Sequence, residues 1–538
     1  MAKSRSGRSK KRRFTGNRYT IRATINENDE TSELNSTESA SAKKLESSHT
    51  SLEIFSERLF ETSKDNRIVS WTTLISFFAI VCCPDCYSQG LELIEDSVSG
   101  LCSHMNLKCK NCSFFKGFPT TEKMKGSCLI NSSIVLGLRI IGKGFSAGKK
   151  LCAFLGLPFL SKLAFRNQER KLLKATERVA QENINSALSE IQGSNSFTKC
   201  GISIDGTWQR RGYSSLNGCV SAISVDTGKI LDIEVMTQYC HICAKGNSQS
   251  SKHVCSNYKG SAGNMEVVGA YRIFERSNVR NVQYNEYYGD GDSKGYESVK
   301  NFYGINTVTK LECIGHVQKR VGRRLRQLKK TTNGLGGKNK LTDKLIDRIQ
   351  NYYGIAIRNN VGNLQKMMSS VIAAFFHCVS GKIISLHGQC PEGSESWCRY
   401  QRAKAAGSPL KEIEQGLPNK IINQIKPTYL KLCNETLLKK CLHGKTQNCN
   451  ESYNNILWNI VPKNIFTGLE TFRLGALLAL ILYNSGYAGI LSVIRNVNGS
   501  LPESVAQELL KFDKQRISTS LRHSLPIAKL SRKKKKSS

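Results

Sequence analysis

Two Cys-x-x-Cys pairs, Cys83-Pro-Asp-Cys86 and Cys109-Lys-Asn-Cys112, stand with 22 residues between them. Four thiolates at that spacing can close a tetrahedron around zinc, and such an ion organises the chain around it whatever the local apolar content. Cys82, Cys102 and His104 are spare candidates for the same site. The chain of 538 residues holds 20 Cys and 9 His, and seven of those His lie within three residues of a Cys. Its first 22 residues carry nine Lys or Arg and no long apolar core, so no secretory leader is expected. In a reduced compartment metal ligation is the first reading of these cysteines and disulfides the second. A second cluster, Cys240-His-Ile-Cys243 with His253-Val-Cys255, also offers zinc ligands, with His241 as a competitor. A third, His377, His387, Cys390 and Cys398, reads either as a metal site or as a metal-free loop containing Cys and Gly. Cys128, Cys152, Cys200 and Cys219 read as small buried hydrophobes.

Lys and Arg number 79 against 42 Asp and Glu, and 79 − 42 = +37. A surplus of that size points to a polyanionic partner. Basic runs near both ends, Lys10-Lys11-Arg12-Arg13 and Arg532-Lys533-Lys534-Lys535-Lys536, suggest a nuclear address or arms that grip phosphate. The apolar run Leu474–Leu482 is cut short by Asn484-Ser485-Gly486, below the roughly 20 residues that span a bilayer. Residues 1–50, basic and then rich in Ser, Thr and Glu, should be disordered. Residues 51–195 read as a zinc-binding and helical region ahead of the main domain, with an amphipathic helix over Phe165–Gln192.

Near Cys200 the pattern changes to strands. Gly201–Trp208 is a β-branched run with Asp205 midway. Gly218–Val225 and Lys229–Met236 follow, joined by the turn Asp226-Thr227-Gly228. Asn281–Tyr288 is a fourth strand, ending at Gly289-Asp290-Gly291-Asp292, and Thr307–Cys313 a fifth. Three consecutive antiparallel strands with an Asp in the first are how a ribonuclease-H-like sheet begins. Residues 196–330 are therefore the first part of a core, with a Cys/His loop at 240–262. A helical insertion at 331–445, a completion at 446–495 and a basic tail at 496–538 would follow.

After Cys313-Ile-Gly-His316 a helix places Val317, Val321, Leu325 and Leu328 on one face. Lys319, Arg320, Arg323, Arg324, Arg326, Lys329 and Lys330 lie on the other, with no acid among them, which suits contact with DNA phosphates. Further on, Glu451 falls in the first turn of a helix that stops near Pro462, and Phe466–Tyr483 reads as an apolar helix packed on the sheet. Asp205, Asp290 and Glu451 stand where a ribonuclease-H-like fold would converge them, with Asp292 as an alternative to Asp290. Carboxylates of this kind hold magnesium or manganese, and a pair of such ions clamps both oxygens of an in-line phosphoryl displacement. Each acid alone also has a bland reading, as a turn Asp or a helix-capping Glu.

Ile204-Asp205-Gly-Thr-Trp208, Gly289-Asp290-Gly-Asp-Ser-Lys294, Cys313-Ile-Gly-His316 and Asn450-Glu451-Ser-Tyr-Asn454 together resemble the Mutator-like transposases of animal DNA transposons. Ser261-Ala-Gly-Asn-Met-Glu266, Cys390-Pro391 and Ser396-Trp397-Cys398 resemble them too. The resemblance implies a mixed α+β or α/β fold: a ribonuclease-H-like sheet with flanking helices, a helical insertion before the last acid, and an N-terminal zinc module. It implies a DDE transposase in which Asp205, Asp290 and Glu451 are the acidic triad and Cys313 with His316 are a Cys-x-x-His pair. The reaction would be metal-dependent cleavage at transposon ends, then strand transfer by the freed 3′ hydroxyl. Partners would be double-stranded DNA and a second copy in a synaptic dimer or larger assembly, in the nucleus. The rival readings are a domesticated, catalytically silent zinc-dependent DNA-binding regulator, a zinc protein without catalytic ancestry, and a nuclease for RNA or hybrids.

Overall fold

The computed structural model describes residues 44–45 and 66–531, apart from 122, 125–126, 194–196, 211–214, 241–256, 290–293, 382–384, 409–415, 500–502, 526 and 529–530. The terminal basic runs, most of residues 1–50, Cys243, His253, Cys255, Asp290 and Asp292 thus lie outside the described residues. Of the two units into which the chain divides, Met1–Glu38 falls wholly outside them, and the elements below belong to Ser39–Ser538.

The first elements are helix α1 (Trp71–Ile80) and strands β1 (Leu91–Ser99), β2 (Cys102–Cys109) and β3 (Phe115–Pro119). The three strands form an antiparallel meander in the order β1-β2-β3, with Cys109 of the first cysteine cluster at the end of β2. A two-residue ladder, β4 (Lys123–Met124) with β5 (Ser127–Cys128), leads into helices α2 (Leu129–Ile140), α3 (Phe145–Phe154) and α4 (Lys162–Gln192). Helix α4 begins where Ser161 accepts a hydrogen bond from the Ala164 N–H at 3.1 Å, a side-chain N-cap. Its buried positions Leu172, Ala175, Val179, Ile184 and Leu188 recur at helical spacing.

The main sheet comprises β6 (Thr198–Trp208), β7 (Asn217–Ser224), β8 (Ile230–Thr237), β9 (Val282–Gly289) and β10 (Thr309–Glu312), with α5 (Met265–Val279) between β8 and β9 and α6 (Lys294–Val299) between β9 and β10. Its order is β10-β9-β6-β7-β8. β6, β7 and β8 are antiparallel neighbours, whereas β9 and β10 run parallel to β6. Every residue of β7 is buried, as expected of a strand covered on both faces. Helix α5 covers one face so closely that a Cβ on Gly269 would sit 2.5 Å from Val220 Cγ2. Side chains of opposite parity, among them Ser203, Cys219 and Ser221, face the other side.

That other side is covered by α4 and by two later helices, α13 (Asn448–Ile460) and α14 (Leu469–Asn498), which share its apolar core. The sequence marks a stop at Asn484-Ser485-Gly486, but α14 continues past it through a break at Gly486 (φ 64°, ψ −155°). Helix α15 (Glu503–Ser524) satisfies the break. Asp513 accepts the Ala488 N–H at 3.2 Å, and Arg516 donates to the Leu482 carbonyl at 2.8 Å. Asn484 is buried because its amide pairs with both the N–H and the C=O of Ile230 on edge strand β8, at 2.9 and 3.1 Å. Among the described residues α14 alone is long and apolar enough to cross a membrane, and most of it is buried in this core.

Between β10 and α13 lies a second, helical core built from α7 (Ile314–Thr331), α8 (Asp343–Arg358), α9 (Leu364–Val379), α10 (Arg399–Ala405), α11 (Asn419–Leu430) and α12 (Glu435–Lys439). The apolar face of α7, with Ile314, Val317, Val321 and Leu325, packs into this cluster against Ile346, Ile349 and Tyr353 of α8.

Candidate active site

Asp205 sits in the upper half of β6, half-buried, in the run Ser203–Asp205–Thr207 that points to the α13 face. Helix α13 is joined to that run rung by rung. Asn450 accepts from the Ser203 hydroxyl at 2.5 Å and donates to the Ser203 and Ser221 carbonyls at 3.2 and 3.3 Å. Asn454 donates to Asp205 Oδ2 at 2.8 Å, and the Trp458 indole N–H donates to Thr207 Oγ1 at 2.7 Å. Four helical residues rise about 6.0 Å and two strand residues about 6.6 Å, so pairs at steps of four and two stay in register when helix and strand run the same way.

The helix start carries a further bridge. Gln447, its N-cap, is buried and donates from its side chain to the Ile204 carbonyl at 2.9 Å and the Tyr288 carbonyl at 3.2 Å. Its backbone N–H donates to Cys313 Sγ at 3.3 Å. One amide thus ties the interior of β6 and the end of β9 to the helix, and buried Cys313, the N-cap of α7, supports it. At about 100° per residue, Asn450 faces β7 and Glu451 turns toward the β9 flank, one turn before Asn454. Glu451 is exposed, with Lys319 Nζ at 3.9 Å, a surface pair worth little energetically. β9 ends at Gly289, paired with Glu312 of β10. The next residue, Asp290, and Asp292 fall outside the described residues; among those described, this end of the sheet carries Asp205, joined through Asn454 to the helix turn of Glu451. His316 is half-buried one turn into α7.

Gln447, Asn450 and Asn454 are what sequence reasoning leaves without a role. Their signal is legible: three amides at i, i+3 and i+7 form a polar stripe on a helix whose Tyr453, Leu457 and Ile460 are buried. His443 adds a brace. Its Nδ1 accepts the Lys445 N–H at 2.8 Å, so Nε2 carries the proton and donates to the Glu312 carbonyl at 3.0 Å. Burial pushes its pKa below the ordinary imidazole value, and its ring meets Tyr288 edge-on at 4.6 Å.

The seven cations of α7 divide. Arg320 is committed to Glu312 at 2.6 Å, Arg326 pairs with Asp347, and Lys329 lies 3.1 Å from Asp343. Arg323, Arg324 and Lys330 are exposed, with no ion pair among the described residues. The helix lacks acids in its own sequence, but β10 and α8 supply them. A set of carboxylates beside exposed cations can hold a hard divalent ion against a phosphate.

In the first cysteine cluster the ligand atoms of Cys83, Cys86, Cys109 and Cys112 all lie within 4.8 Å of one another. Cys83 and Cys112 Sγ are 3.5 Å apart, and Cys86 and Cys109 Sγ 3.6 Å, close to the roughly 3.8 Å edge of a zinc–thiolate tetrahedron with 2.3 Å bonds. The Asn111 N–H, 3.3 Å from Cys109 Sγ, helps hold that thiol down to about 6, which favours the ligating thiolate. The four residues fit zinc. Cys102 is buried in β2 and His104 lies 3.7 Å from Asp96, both apart from the tetrad. Cys128, Cys152, Cys200 and Cys219 are buried, and burial pushes Cys200 and Cys219 up to about 12. Of the second cluster only Cys240 lies among the described residues, half-buried three residues past the end of β8.

A mixed sheet between helices, a cysteine tetrad fit for zinc and a helical second core are the framework. Over residues 65–398 the chain matches the family model of the Mutator-like transposases. That is well over half of the sequence, and the chain belongs to the Mutator-like transposase family, whose members are DNA-processing enzymes. No curated protein matches the chain. The matched span ends at Cys398, so Glu451 lies beyond it.

Proposed function

We propose that this protein is a DDE-type DNA transposase with a ribonuclease-H-like core, and that Asp205, Asp290 and Glu451 are its catalytic acids. The observation that carries the reading is the seam of α13. It ties Asp205 to the helix turn that bears Glu451, and it ties the same helix start to Tyr288, two residues before Asp290. The sheet order, fifth-fourth-first-second-third with only the second strand antiparallel to the rest, supports the fold assignment. Asp292 is the alternative to Asp290.

Oxygen donors from carboxylates suit magnesium or manganese, and the bound ions would polarise the scissile phosphate and stabilise the attacking and leaving oxygens. The chain's own residues do the positioning. Asn454 orients the Asp205 carboxylate by donating to one oxygen, and Gln447 fixes Ile204 of β6 and Tyr288 of β9 relative to the Glu451 turn. Arg323, Arg324 and Lys330 present charge to duplex phosphates, and the Cys83–Cys112 zinc module contributes to binding transposon ends. The protein acts in the nucleus as a synaptic dimer or higher oligomer.

The test is magnesium-dependent nicking of a duplex bearing the element's own terminal repeat by the full chain. Wild type should nick, while Asp205→Ala and Glu451→Gln, folded and still able to bind the duplex, should lose about 10²- to 10³-fold in rate, the scale of losing one preorganised electrostatic interaction. A wild-type protein that binds the duplex but never nicks it is the domesticated regulator instead. Binding should also weaken with salt, and removing Arg323, Arg324 and Lys330 together should flatten the log–log slope by about 0.9 for each phosphate they had neutralised.

A further inference from the structure

The helical core holds a second constellation that the proposed catalytic acids do not use. His377 lies in the last turn of α9, and Cys398 is the N-cap of α10. His387 and Cys390 come from the connection between them, a stretch without a helix or strand among its described residues. His387, Cys390 and Cys398 are buried and His377 is half-buried.

The distances decide what this grouping can be. The two Nδ1 atoms are 3.1 Å apart. Cys398 Sγ lies 3.4 Å from His377 Nδ1 and 3.5 Å from His387 Nδ1. Cys390 Sγ lies 3.9 and 3.8 Å from the same two nitrogens. A hydrogen bond between two imidazoles would account for the first distance alone. It gives no reason for two sulfurs each to sit against both nitrogens. A zinc tetrahedron does: with bonds of about 2.05 Å to nitrogen and 2.3 Å to sulfur, its edges are roughly 3.3 to 3.8 Å.

The surroundings hold the donors in place. Tyr400 stacks on the His387 ring (4.6 Å, 17°), and Tyr352 and Trp397 pack against His377 at 4.5 and 5.2 Å. Gln401 donates to the His387 carbonyl at 3.0 Å, and the Cys398 N–H donates to Ser396 Oγ at 3.0 Å. Such supporting contacts orient ligands around a metal.

We propose that His377, His387, Cys390 and Cys398 bind one structural zinc ion that folds the α9–α10 connection onto the helical core. Both thiols bind as thiolates and release their protons to solvent, and four protein donors leave no open position for chemistry. The site is independent of Asp205, Asp290 and Glu451, so it stands or falls apart from the transposase reading.

The experiment uses the full chain purified without added metal, with zinc content and zinc-edge X-ray absorption measured on wild type, Cys398→Ser and Cys83→Ser. Wild type should show about one nitrogen for every three sulfurs, the average of a four-Cys site and a two-His, two-Cys site. A four-Cys site joined only by a three-Cys, one-His site would show one nitrogen in eight ligands. Each variant should lose one ion, and the nitrogen share should fall in Cys398→Ser and rise in Cys83→Ser. Zinc content and nitrogen share unchanged in Cys398→Ser would overturn the proposal. If that variant does not fold, the wild-type spectrum decides, and a nitrogen share of one in eight or less overturns it equally.

Discussion

Two helices cover the same face of the main sheet by opposite means. Helix α14 does so with bulk: Leu474, Leu478, Leu480 and Ile481 are buried, and its polar contact with the sheet is made by Asn484 at the edge. Helix α13 does so with direction: Gln447, Asn450, Asn454 and Trp458 hydrogen-bond to named atoms of β6, β7 and β9. Apolar burial is non-directional and sets which layer lies on which. It tolerates a slide of an ångström that hydrogen bonds do not. The polar seam falls where a carboxylate on a strand and another on a helix must keep a fixed relation.

Substitutions can break or sharpen that contrast. Leu480→Ala should cost the most stability, about 4 kcal/mol for a fully buried leucine whose site cannot collapse, read by denaturant unfolding. Nicking per folded molecule should survive it. Asn450→Leu should cost slightly less, about 3 kcal/mol, because Ser203 and Ser221 lose buried partners. Nicking per folded molecule should fall with it, since the α13 register is lost. Equal losses of specific activity in the two variants would erase the distinction between bulk and seam.

The smallest effect is a pH dependence. His443 is held neutral by burial, with Lys445, Glu286 and Tyr288 around it, so its folded pKa lies below the ordinary 6.5. The unfolded chain takes up a proton near 6.5 where the folded chain resists it. Stability is therefore intact above that pH and declines below it. His443→Gln should show less loss than wild type between about pH 7.5 and 5.5 in urea midpoints, and parallel curves would remove His443 from the brace.

The strands of the main sheet are readable from β-branched runs and turn residues. Gly218–Val225, Lys229–Met236 and Asn281–Tyr288 each fall within one residue of β7, β8 and β9, and Gly201–Trp208 within three of β6. The β-meander beside Cys109 is not readable, because β1 and β2 leave most of their residues outside the core and carry little apolar alternation. Nor is the fate of α7's cations. Seven basic residues with no acid beside them in sequence suggest one charged face, yet Glu312, Asp343 and Asp347 arrive from other elements to claim three of them.

Sequence alone determined the strand pattern, the thiol spacing and the surplus of positive charge, because each depends on neighbours a few residues apart or on composition. The tertiary structure alone decided that Asn454 meets Asp205, that Gln447 spans two strands, and that His377 and His387 face Cys390 and Cys398. All of those pairings but His387 with Cys390 join residues more than ten positions apart, and only packing of the layers fixes the distances on which hydrogen bonds and metal ligation depend.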